Sequence, residues 1–88
     1  MSVKENFTGM IQRANESFIR DNVYMVGRTT LARALKNVDA QYQEKIFRNM
    51  SEDGAAELKK LMAGMENISA EEIEAAQREI VSMAQGYV

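Results

Sequence analysis

Glu71, Glu72 and Glu74 form the densest run of carboxylates in the chain and the first place to look for chemistry. Clustered carboxylates can hold a hard cation or divide acid and base roles between them. On a helix, though, Glu71 and Glu72 point about 100° apart, and no second segment supplies obvious partners. Ser69-Ala70-Glu71-Glu72 is also a capping box, in which the serine oxygen accepts from the Glu72 N–H and the Glu72 carboxylate accepts from that of Ser69. These acids therefore read as a helix start with solvated neighbours. The rest of the chemical inventory is thin. There is no histidine and no cysteine. That removes the commonest general base, the thiolate metal sites and every Ser-His or Cys-His pair. The five glycines are scattered, so no loop can cradle a phosphate. The expectation is a protein that is not an enzyme and has no cofactor, no catalytic residue and no metal site.

Seven methionines raise a second chemistry, a pliable groove for apolar partners. Met10, Met50, Met62, Met65 and Met83 all fall at apolar positions of helical repeats, which is what ordinary core packing requires. Charge is divided unevenly. Residues 1–50 carry eight Lys/Arg against five Asp/Glu, or +3, and residues 51–88 carry three against eight, or −5, together −2. Such a balance argues against nucleic acid as a partner. The asymmetry suits docking between proteins, and equally an acidic half that contains two helix starts.

The elements that must position these residues are helical. Phe7, Met10, Ile11, Ala14 and Phe18 follow the spacing i, i+3, i+4, i+7, i+11, and the reading places an N-terminal helix over Val3 to Phe18. Ile19, Val23 and Val26 continue the stripe with a small rotation, and Gly27 interrupts it. Thr29 can cap a short helix bearing Leu31, Ala34, Leu35 and Val38. Asp39 can cap the next, with Tyr42, Ile46, Phe47 and Met50 inward. Ser51 opens another, with Glu52 and Asp53 at its positive end and Leu58, Leu61, Met62 and Met65 inward. Gly64 suits a left-handed residue at its close. The last helix follows the capping box, with Ile68 and Ile73 as a hydrophobic staple and Ile73, Ala76, Ile80, Met83 and Tyr87 inward before Gly86.

The fold class is thus all-α, a small compact bundle of about five short helices, with a core of Ile19, Val23, Leu31, Leu35, Ile46, Phe47, Met50, Leu58, Leu61, Ile73 and Ile80. Eighty-eight residues allow one domain and one modest core. No run reaches the length of a secretory signal or of a membrane-spanning helix, and the chain reads as cytoplasmic.

Several pieces resemble the FliG family, rotor proteins of the bacterial flagellar motor switch. They are Leu31-Ala-Arg-Ala-Leu35-Lys36, then Glu44-Lys-Ile-Phe-Arg-Asn-Met-Ser51, then Ala55-Ala56 with Leu58, and finally Glu72-Ile73-Glu74-Ala75-Ala76-Gln77-Arg78-Glu79-Ile80-Val81. Each piece is short, and their order is what makes the match specific. The similarity sets residues 1–18 apart as an N-terminal helix outside it and covers residues 19–88 as a FliG C-terminal-like helical domain. The family's preceding helical domains are not visible in the chain.

The resemblance implies a helical domain on the rotor rim that meets the stator ring. Its partners would be flagellar rotor or stator components, or other copies of itself, at the cytoplasmic face of the inner membrane. In the family the helix equivalent to Ser51–Met65 displays torque-bearing charges. Lys36 matches the family lysine. The family arginine two residues after Ser51 is Asp53 here, its two adjacent acids are Lys60 and Leu61, and a later arginine is Ser69. The apolar positions match and the torque charges depart. Asp53, Glu57 and Lys60, spaced i, i+4 and i+7, together with Lys36, are the candidate interaction residues. The alternative for that row is a solvated face with an internal Glu57–Lys60 pair. Two functions stand side by side: a FliG-like interaction domain or paralogue with altered torque-helix charges, and a regulatory or oligomerising bundle that keeps the fold without the motor role.

Overall fold

The computed structural model describes residues 2–85. Six helices follow one another: α1 Val3–Arg13, α2 Glu16–Met25, α3 Arg28–Leu35, α4 Ala40–Arg48, α5 Glu52–Ala63 and α6 Ala70–Gln85. Among the described residues there is no strand. The expected all-α bundle is observed, with one helix more than the sequence suggested.

The additional helix comes from a break inside the expected N-terminal one. Ala14 and Asn15 are extended, with φ/ψ of −71/139 and −81/169. Asn15 starts α2 because its Oδ1 accepts from the Phe18 N–H at 2.8 Å, satisfying a helix-end donor that would otherwise lack a partner. The apolar spacing runs straight through the break and so conceals it. Three other helix ends also differ from expectation. α3 is entered from Gly27 and not from Thr29, with no side-chain cap. Gly64 closes α5 at φ −79, a right-handed conformation, so no left-handed glycine is needed there. Asp39 is the N-cap residue of α4, but its side chain makes no capping hydrogen bond.

Ser51 and Ser69 behave as expected. Ser51 Oγ accepts from the Gly54 N–H at 3.0 Å, and Ser69 Oγ accepts from the Glu72 N–H at 3.1 Å. The return arm of the Ser69 box differs in detail: the serine hydroxyl, 3.3 Å away, donates to Glu72 Oε1.

One core joins α1 to α6. Phe7, Ile11, Leu35 and Leu58 are its largest fully buried apolar side chains. Ile19, Leu31, Ile46, Ile73 and Ile80 are buried as expected, whereas Val23, Phe47, Met50 and Leu61 only flank the core, half-buried. The centre is instead completed by α1 and by the small residues Ala32, Ala34 and Ala76. α3 packs between α5 and α6, and α1 lies against α6 and α4. Gly86 and Tyr87, read as the end of the last inward stripe, lie outside the described residues.

Candidate protein-interaction site

α5 turns Leu58 into the core and leaves the opposite side to solvent. Glu52, Asp53, Glu57, Lys59 and Lys60 are all exposed on this one helix. The candidate residues Asp53, Glu57 and Lys60 are therefore brought together as a surface row. Glu57 does not pair with Lys60. It forms an ion pair with Arg28, at the first turn of α3 and 29 residues distant in sequence. Both side chains stay wet, 45% and 59% exposed, so the pair is screened and worth at most about 1 kcal/mol.

Gly54 makes room for this crossing. A Cβ there would sit 3.0 Å from Ser51 Oγ and 3.3 Å from an Arg28 guanidinium nitrogen, close enough that both would have to give by a few tenths of an ångström. Lys36 reaches the other end of α5. Its ammonium donates to the Met62 carbonyl at 2.9 Å and ties the close of α3 to the close of α5. Leu61, beside Lys60, is half-buried against the core. Lys59 lies 4.9 Å above the Phe47 ring, which accounts for a half-buried aromatic on α4.

Three polar residues outside the expected set hold this frame. Lys45 donates to the carbonyls of Ile11, Gln12 and Ala14 at 2.8, 3.2 and 2.8 Å and thereby caps the C-terminal end of α1. Gln77 is fully buried on α6. Its Nε2 donates to Ala34 O at 3.0 Å and to Asn37 Oδ1 at 2.7 Å, while its Oε1 has no partner among the described residues. Gln43 donates to Leu35 O at 2.7 Å, so the last carbonyls of α3 are satisfied from two other helices. No local pattern marks these residues, because each finds its partner across the fold. The carboxylates Glu71, Glu72 and Glu74 are exposed, and among the described residues no three potential ligands come together around a metal-sized space.

The FliG C-terminal domain family matches residues 5–88 of the chain. The chain belongs to that family. This FliG C-terminal domain is 37% identical over 84 residues to the flagellar motor switch protein FliG of Vibrio cholerae, an alignment that takes in 96% of the chain and 23% of that protein. It is 45% identical over 53 residues to the protein of the same name from Borreliella burgdorferi, covering 60% of the chain and 15% of that relative. The chain thus spans under a quarter of the length of the relatives it matches. The similarity read from residues 19–88 is extended by the family match, which begins at residue 5 and takes in most of α1. No helix among the described residues is long and apolar enough to cross a membrane.

Proposed function

We propose that this FliG C-terminal domain is a non-enzymatic protein-interaction module of a flagellar motor switch assembly, and that the exposed side of α5 is its contact surface. Asp53, Glu57 and Lys60 carry the contact, and Lys36 holds the end of the helix that presents them. The supporting observation is the placement of these charges: three side chains on one exposed row, backed by a buried Leu58, on the helix that the resemblance equates with the family's torque helix. The partner is a rotor or stator component that carries charges of its own, at the cytoplasmic face of the inner membrane. Asp53 and Lys60 reverse the signs that the resemblance leads one to expect, and like charges in contact oppose association. The complex formed here therefore uses a different charge code from that of a conventional rotor.

A chimera tests this reading. Residues 5–88, the span the family matches, placed in the V. cholerae rotor protein, are expected to fold and to fail in swimming and tethered-cell rotation assays. Asp53→Arg with Lys60→Asp is expected to restore part of the rotation. Leu61 is left unchanged, since a carboxylate at its half-buried position would be costly. Full rotation with the unaltered segment would overturn the altered code. The second reading, an oligomerising bundle without a motor role, draws on the Arg28–Glu57 pair, which already satisfies one of the three charges within the domain.

A further inference from the structure

The structure breaks the N-terminal helical run at Ala14-Asn15, but the sequence carries its apolar row across. Phe7, Met10, Ile11, Ala14 and Phe18 keep one helical face. Met25 lies 18 residues beyond Phe7, five turns of 3.6 residues, and so returns to that face. In the observed fold the row is divided. Phe7 and Ile11 are each 1% exposed, Phe18 is half-buried, and Met25, 44% exposed, is the exposed large hydrophobic side chain among the described residues.

The break itself is held by polar contacts with an alternative. Neither hinge residue is glycine or proline, and both can adopt helical backbone. The carbonyls of Ile11, Gln12 and Ala14 accept from Lys45 in the bent form. In a continuous helix over residues 3–25 they would accept from the N–H groups four residues on. Asn15 Oδ1 likewise replaces a hydrogen bond that an unbroken helix would supply. The same groups are satisfied bent or straight.

We infer that α1 exchanges between two copies of this chain. The α1–α2 hinge straightens into one helix of about 34 Å, and the α1 of each copy fills the place against α4 and α6 in the other. The occupant of that place is a second copy's α1, because Phe7 and Ile11 already fit it, and an exchange reuses the whole interface while changing only the hinge. A two-residue connection leaves little slack, a condition that invites exchange. Phe18 and Met25 then join Phe7 and Ile11 in one row along the straight helix. This inference does not rest on the motor reading.

The test is the mass of the full chain by sedimentation equilibrium after refolding at high and low concentration. Asn15→Ala is expected to raise the dimer association constant roughly 25-fold, a factor of about five for each of two hinges that lose a cap. Lys45→Met is expected to shift it in the same direction. A Gly-Ser insertion after Ala14 is expected to return the protein to monomer. To identify the exchange, spin labels are placed at Gln12→Cys and Ser82→Cys, both exposed positions in a chain without cysteine. Labels on separate chains of a mixed dimer are expected to show the distance that the doubly labelled monomer shows within one chain. Should Asn15→Ala not fold, the wild-type chain refolded at high concentration provides the same readings. A monomer at every concentration, or a dimer whose inter-chain distance differs from the monomer's own, overturns the inference.

Discussion

Phe7 and Phe47 carry the same side chain and hold different ranks. Phe7 is 1% exposed at the junction of α1, α4 and α6, whereas Phe47 is half-buried with Lys59 over its ring. Phe7→Ala is expected to cost about 3–5 kcal/mol. Phe47→Ala is expected to cost about 1–3 kcal/mol. Urea denaturation of both variants checks the order, and equal losses would contradict it. The periodicity placed both on apolar faces but could not rank them, because depth depends on which helix lies opposite. Gln77 was beyond sequence reasoning for the same reason: its partners, Ala34 O and Asn37 Oδ1, are about forty residues away. Both are acceptors, so Gln77→Glu would aim a buried carboxylate at two oxygens. The carboxyl pKa would then lie above the unfolded value of about 4.3. Stability relative to the parent is therefore expected to be greatest below about pH 4 and to fall as pH rises towards 7. Denaturation midpoints of variant and parent at pH 4, 5.5 and 7 would show it; a gap that stays constant with pH would refute it.

Among the elements, α5 and α6, whose serine caps form as expected, were legible from their starts, whereas the start of α3 and the break between α1 and α2 were not. Ser51 and Ser69 announce α5 and α6, and each accepts from the N–H three residues ahead. Ser69→Ala is expected to lose about 1 kcal/mol, and Glu72→Gln less, because an amide oxygen can still accept from the serine hydroxyl. Thermal melts read both, and a Ser69→Ala protein as stable as its parent would show that the cap is idle. α1 and α2 were read as one run because hydrophobic spacing carries no information about a bend that keeps the same residues apolar. The available signal was Asn15, a favoured N-cap residue placed just before Glu16. The charged row of α5 was legible as a row, while its pairing was not. Nothing in Glu57's neighbourhood along the chain points to Arg28 in preference to Lys60.

At the scale of the whole molecule, a single core runs from Phe7 on α1 to Ile80 on α6, so the domain has no half that holds a core of its own. The sequence showed that one core was all that 88 residues allow, and it underrated how far α1 belongs to it. The proposed contact surface sits on this frame, and its charge can be summed as a distant partner would feel it. On α5, Glu52, Asp53 and Glu57 stand beside Lys59 and Lys60, Arg28 adds a third cation beside Glu57 and Lys36 a fourth at the helix's close, three acids against four bases. With signs so nearly balanced, the face exerts little pull beyond a Debye length of about 8 Å. An approaching partner is then neither drawn in nor turned away until it is nearly touching. At the proposed contact, encounter is expected to proceed near the unsteered pace of about 10⁵–10⁶ M⁻¹s⁻¹ and to change little with salt, which association rates at low and high ionic strength would check. Selectivity on such a face lies in how long a partner stays, through the alternation of signs met at close range, and not in how often it arrives.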